Sequence, residues 1–117
     1  LKPIIIGGVV FCHYFVSGPM GRPVASAQRL ITTKHQSCIA GHQQGRQVAY
    51  GFRADGKSIT SIIAGSCYEH DEDYMGPQGN KYWRGIIGLH EVKDGEFDEM
   101  FVSLNFLKKR YKFLHFV

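Results

Sequence analysis

The first 54 residues of this chain contain no carboxylate. Lys2, Arg22, Arg29, Lys34, Arg46 and Arg53 stand there alone, and the first acid is Asp55. Hard divalent cations want anionic oxygen, so a centre built on bridging carboxylates cannot come from that stretch by itself. Cysteine is scarce: Cys12, Cys38 and Cys67 show no C-x-x-C spacing. An odd count without a secretory signal excludes a disulfide framework and points to reduced thiols inside a cell. Each lies in or beside an apolar strand-like run and reads as a small buried hydrophobe, with Cys12 beside His13 the one candidate thiol nucleophile. No apolar run approaches the roughly 20 residues that span a bilayer. Gly7-Gly8 is not followed by a helix pattern, which excludes a dinucleotide-binding turn, and there is no Gly-x-Ser-x-Gly elbow. Internal repeats and low-complexity tracts are missing too.

What is present describes one domain, or part of one. A chain of 117 residues buries roughly two-thirds of its surface, enough for a single core. With 44% hydrophobic and 21% charged residues it has the composition of a globular protein. The first residue is Leu rather than Met, which marks a fragment, a processed product or an unusual start. Residues 1–12 are apolar without a small-residue cleavage pattern and read as a buried strand, not a signal peptide. Residues 17–23 form a turn-rich loop. Val24, Ala27, Leu30 and Ile31 then recur at helical spacing, so residues 24–35 are expected to form the one helix, with Ser26 as N-cap and Lys34 and His35 in the last turn. Beyond it the pattern is strand. Val48, Tyr50 and Phe52 alternate up to Asp55-Gly56, and Ile59, Ile62 and Ile63 return, which is a hairpin signal. A second hairpin is expected to run up residues 83–92, turn at Lys93-Asp94-Gly95, and come back along 97–104. Met100, Val102 and Leu104 would face one way and Phe97, Phe101 and Ser103 the other, as in a sheet packed on both sides.

The histidines fall where strands end. Residues 37–44, Ser-Cys-Ile-Ala-Gly-His-Gln-Gln, close a short apolar run with Gly41-His42, and residues 9–15 deliver His13 in the same way. An imidazole so placed either ligates a metal or hydrogen-bonds at a loop mouth. Downstream, residues 64–71 carry Tyr68 and His70 into a long loop at 68–80 that is acidic from Glu69 to Asp73, and a Trp83-Arg84-Gly85 segment leads to His90. The acids lack the alternating ligands and glycine of a calcium loop. His90, inside a strand, reads as structural. His115 lies in an apolar, unpatterned tail.

On these residues the chain resembles the calcineurin-like metallophosphoesterases, in particular small phage-encoded members, over roughly residues 4–111. That family ends with a strand-borne histidine, a Gly-His-x-His motif, then hairpins with a Gly-rich turn and a Trp-Arg-Gly strand. The resemblance covers only the C-terminal part of the family's domain, because its Asp-x-His, Gly-Asp and Gly-Asn-His motifs have no counterpart here. It implies that His13 and His42 ligate one ion of a two-metal centre, with Mn, Zn or Fe as the divalent cofactor. Gln44 stands where the second histidine of Gly-His-x-His belongs, offering a carbonyl oxygen instead of an imidazole. Tyr68 and His70 would lie on the substrate rim.

The expected fold is therefore α/β in the broad sense, α+β with mainly antiparallel strands, resembling the C-terminal part of the four-layer α/β/β/α sandwich. Residues 1–111 would form that portion and 112–117 a tail. The function implied is metal-dependent hydrolysis of phosphomonoesters or phosphodiesters, inactive in the isolated chain because the N-terminal motifs are missing. The alternative is a non-catalytic binding or assembly module that touches nucleic acid through its basic stretch Lys108-Lys109-Arg110-Tyr111-Lys112. The expected partner is the missing N-terminal half or a second copy, with no membrane, in the cytoplasm (of a host cell, if phage-encoded).

Overall fold

A computed structural model of the chain describes residues 2–43, 45–67 and 82–111. Two glycines decide its first elements. Gly7 and Gly8 take φ of +58° and +82°, the pair of positive values that a two-residue hairpin turn of type I′ requires. The expected single buried strand is thereby split into β1 (Ile4–Ile6) and β2 (Val9–Cys12), antiparallel with Ile5 opposite Val10. The Gly-Gly pair was the hairpin signal, and only β2 is buried. Ile4, Ile5 and Ile6 are 61, 65 and 60% exposed, so β1 is an uncovered sheet edge.

After β2 the chain makes a small ladder between β3 (Val16–Ser17) and β4 (Arg22–Pro23) at the ends of the expected loop. Helix α1 (Ala27–Lys34) follows. Ser26 caps it as expected, its Oγ accepting from the Arg29 N–H at 3.1 Å. The helix stops at His35, whose left-handed backbone (φ +55°) lets its N–H return to the Ile31 carbonyl. Ala27, Leu30 and Ile31 face inward. Val24 is buried as well but precedes the cap, because the apolar spacing continues through a non-helical residue.

The main sheet has five strands in the order β1-β2-β5-β7-β6, with β5 at Cys38–Ala40, β6 at Gln47–Phe52 and β7 at Ser58–Ile63. Most ladders among the described residues are antiparallel, including the β6–β7 hairpin signalled by Asp55-Gly56. The two central ones are parallel: β2 with β5, and β5 with β7. Parallel neighbours need a long crossover, which α1 supplies between β2 and β5. Their carboxyl ends therefore all lie on one edge of the sheet.

Register separates the two faces. Val10, Cys38, Ala40 and Ile63 pack with Leu30, Phe15 and Val24 on the α1 side, while Ala49 and Ile59 meet Ala27 and Ile31. Gly51 continues that face, where a side chain would crowd Ile31. Tyr50, Thr60 and Ile62 therefore point the other way. There they meet a second, two-stranded sheet, β8 (Gly85–Lys93) and β9 (Glu96–Ser103). The Tyr50 hydroxyl donates to Glu99, the Ser58 hydroxyl donates to Glu96 at 2.8 Å, and the Gly95 N–H reaches the Gly7 carbonyl at 2.8 Å. The result is three layers: α1, the mixed sheet and the hairpin.

The hairpin is not packed on both sides as expected. Ile86 and Met100 on its outer face are 48% and 47% exposed, because among the described residues it is the face carrying Glu99 that meets the mixed sheet. Nor is α1 the one helix. Leu104, expected at the end of a strand, opens α2 (Leu104–Arg110), where the Ser103 Oγ accepts from the Phe106 N–H. Lys108, Lys109 and Arg110, expected in the basic tail, occupy its last turn, where cations suit the helix dipole. Among the described residues no helix is long and apolar enough to cross a membrane.

Candidate functional site

His13 is the first residue after β2 and His42 the second after β5, so both hang from the carboxyl ends of adjacent parallel strands. In open sheets that edge is where ligands bind, since side chains there converge beyond the last backbone hydrogen bonds. One further backbone bond clamps the two ends together, from the Gly41 N–H to the His13 carbonyl at 2.9 Å. The imidazole packs over Gly41, where even a Cβ would lie at an ordinary contact distance of 3.5 Å from His13 Nδ1. His42 then turns sharply, with φ +67°. A left-handed backbone costs a non-glycine residue on the order of 1 kcal/mol or more, and such conformations collect at functional sites.

The turn aims one ring at the other. His42 Nδ1 lies 3.3 Å from His13 Nε2, and the rings meet edge-on at 85°. The Tyr14 ring closes the group, with its centroid 5.1 Å from that of His42 and 5.8 Å from that of His13. Both imidazoles are exposed. Among the described residues neither is hydrogen-bonded to a carboxylate. A separation of 3.3 Å suits a shared proton, with the donor set by the tautomers. It also suits a single ion: two nitrogens at 2.0–2.1 Å from one tetrahedral metal stand roughly 3.3–3.4 Å apart. The pair thus fits one ion. A two-ion centre does not fit the described residues, among which no group of three or more His, Cys, Asp or Glu side chains gathers.

Beside the pair runs a groove of about 360 Å³ on the sheet face away from α1, floored by Ile4, Phe11, Ile39 and Ala64 and reached by His13, Gly41 and Lys2. On the far side, β7 also ends at this edge and leads to Ser66. Its Oγ is buried with no hydrogen-bond partner among the described residues.

Of the residues singled out in the sequence, His13 and His42 are brought together. Gln44, Tyr68 and His70 lie outside the described residues, as do His115 and the acids from Glu69 to Asp73. His35 is the exposed α1 C-cap, and His90 is exposed across from Asp98 rather than built into a core. Cys38 is the buried hydrophobe expected, 1% exposed. Burial pushes its thiol up to about 11, against the pull of the Lys34 ammonium. Cys12 and Cys67 are only half-buried.

Sequence reasoning missed Tyr14, Lys2 and Arg46. Arg46 stacks its guanidinium 4.2 Å from the Trp83 ring centroid and 4.6 Å from that of Phe101. The one available signal was its position four residues after His42 in an acid-free segment. No family model matches the chain, and neither a curated protein nor a solved structure does.

Proposed function

We propose that this chain carries one side of a metal-dependent phosphoester-hydrolysing centre of the calcineurin-like metallophosphoesterase kind, with His13 and His42 holding one divalent ion, Mn, Zn or Fe. The observation that carries the reading is the 3.3 Å approach of His42 Nδ1 to His13 Nε2 at neighbouring parallel strand ends. When bound, such an ion polarises a phosphoryl oxygen and acidifies water. The chain's own contribution is positional. The β2–β5 register sets the spacing, the Gly41–His13 backbone bond fixes the two strand ends, and Tyr14 restricts the His42 ring. In this reading Gln44 contacts the ion or a phosphate, and Tyr68 and His70 form the substrate rim.

The bridging carboxylates that a second ion requires then come from a covering polypeptide, either an N-terminal half or a second copy of the chain. It would pack against the apolar groove and the β1 edge, completing a four-layer sandwich. Without them, neutral imidazoles hold an ion but do not turn over substrate. A non-catalytic binding module is the second reading, favoured by the lack of a third ligand beside the pair among the described residues.

The assay is nitrophenol release from bis-nitrophenyl phosphate in millimolar Mn²⁺, beside His42→Ala. The expected result is no turnover above background for either protein. Turnover that His42→Ala abolishes would overturn the claim of incompleteness and show that this chain, or two copies of it, supplies the carboxylates.

A further inference from the structure

Arg46 is held in an unusual way for an exposed cation. Trp83 and Phe101, themselves edge-on with centroids 5.9 Å apart, both lie against its guanidinium. Trp83 in turn packs over Gly85, where a Cβ would overlap the indole, and the Tyr82 ring lies against Gly45. The guanidinium is thus fixed by rings of the hairpin while its backbone belongs to the loop that begins at His42. Because the two rings stand at 83° to each other, the guanidinium can lie flat on at most one of them, and the N–H edge turned away from both is the one left for a ligand. Among the described residues no carboxylate or carbonyl takes that edge, and the acid nearest Phe101 along β9, Glu99, is engaged by the Tyr50 hydroxyl. Four residues of chain put Arg46 within roughly 14 Å of His42, Cα to Cα.

We infer that Arg46 is a phosphate-recognition residue, its stacked guanidinium presenting a two-pronged N–H edge to the oxygens of a phosphate group on the substrate. The inference rests on the phosphoester reading of the histidine pair and adds the group that binds and orients the anion. A fixed fork matches two phosphate oxygens at once, whereas an ammonium offers a point charge.

Trp83 is the chain's single tryptophan, so its fluorescence reports on the guanidinium lying against it. The experiment titrates the metal-free protein with inorganic phosphate and, separately, with the oligonucleotide dT6, against sodium chloride at matched ionic strength. Arg46→Lys, Arg46→Ala and His42→Ala run alongside, and the thermal midpoint of each is recorded. A saturable change in Trp83 emission is expected, weakened roughly tenfold or more in Arg46→Lys although the charge is kept, lost in Arg46→Ala and retained in His42→Ala. Tighter binding of phosphate assigns a monoester group, and tighter binding of dT6 assigns a phosphodiester backbone; either supports the inference. It is overturned if phosphate, dT6 and chloride act alike, if Arg46→Lys binds as well as the parent, or if Arg46→Ala lowers only the thermal midpoint. A response lost in His42→Ala but kept in Arg46→Ala places the anion on the histidines, which overturns the inference and leaves the phosphoester reading standing. Anion binding at Arg46 in a protein whose histidines take no metal does the reverse.

Discussion

His42 meets two demands at once: a left-handed backbone and an imidazole aimed at His13. The strand-end placement of both histidines was legible in the sequence, because a short apolar run that stops at Gly-His leaves few other conformations. Their mutual distance was not, since it depends on β2 and β5 being parallel neighbours. Arg46 was harder still. Its partners Trp83 and Phe101 lie far along the chain, and an arginine in a polar loop carries no local mark of stacking. Cys38 shows the opposite case, a residue whose buried character was legible from its apolar neighbours alone. Its thiol is shifted from 9.0 to about 11, first by burial. Below about pH 9 it is neutral in both the folded and unfolded chain, and it costs nothing. Between about 9 and 11 the unfolded chain releases the proton and the folded one keeps it, so stability falls as pH rises. Tyr50 adds the same trend at higher pH, because the Glu99 carboxylate that accepts its hydrogen bond holds the phenol protonated. Urea midpoints measured from pH 8 to 11 are expected to drop, and Cys38→Ala to flatten the part that begins near pH 9. An unchanged slope in the variant would contradict this origin.

At the scale of elements, reading went wrong wherever one residue switches a pattern. Gly7-Gly8 turns an apolar run into a hairpin, and Ser103 converts a strand into α2 by capping it. The β6–β7 and β8–β9 hairpins were legible because Asp-Gly supplies the positive φ their turns need. Gly8 has a second duty, since the β8–β9 turn comes down directly on it and a Cβ would collide with the backbone nitrogen of Gly95. Gly56, with a similar φ of +90°, faces open space. The two therefore separate backbone strain from contact. Gly56→Ala is expected to cost about 1 kcal/mol, from φ alone. Gly8→Ala should cost clearly more, because the hairpin layer must also lift away from Gly7 and Gly8. Equal losses in urea unfolding would mean that the turn-to-turn contact contributes little.

For the whole molecule, the order of layers follows from which face of the mixed sheet each element can cover. Helix α1 seals one face. The hairpin covers part of the other, leaving the groove beside His13 and the isoleucine edge of β1 open. An α+β chain rich in antiparallel ladders was readable from hydrophobic periodicity. Sheet order and the parallel centre were not, because they are set by the crossover of α1 and by long-range pairing. The parallel centre is also what brings two histidines, 29 positions apart, to a spacing that suits one ion. The most direct test is to locate that ion. Substoichiometric Mn²⁺ added to ¹⁵N-labelled protein broadens amide signals within a limited radius of where it binds. The account predicts selective loss of the signals around His13, Tyr14, Gly41 and His42, abolished in both His13→Ala and His42→Ala. Broadening centred elsewhere, or unchanged in those variants, would contradict it.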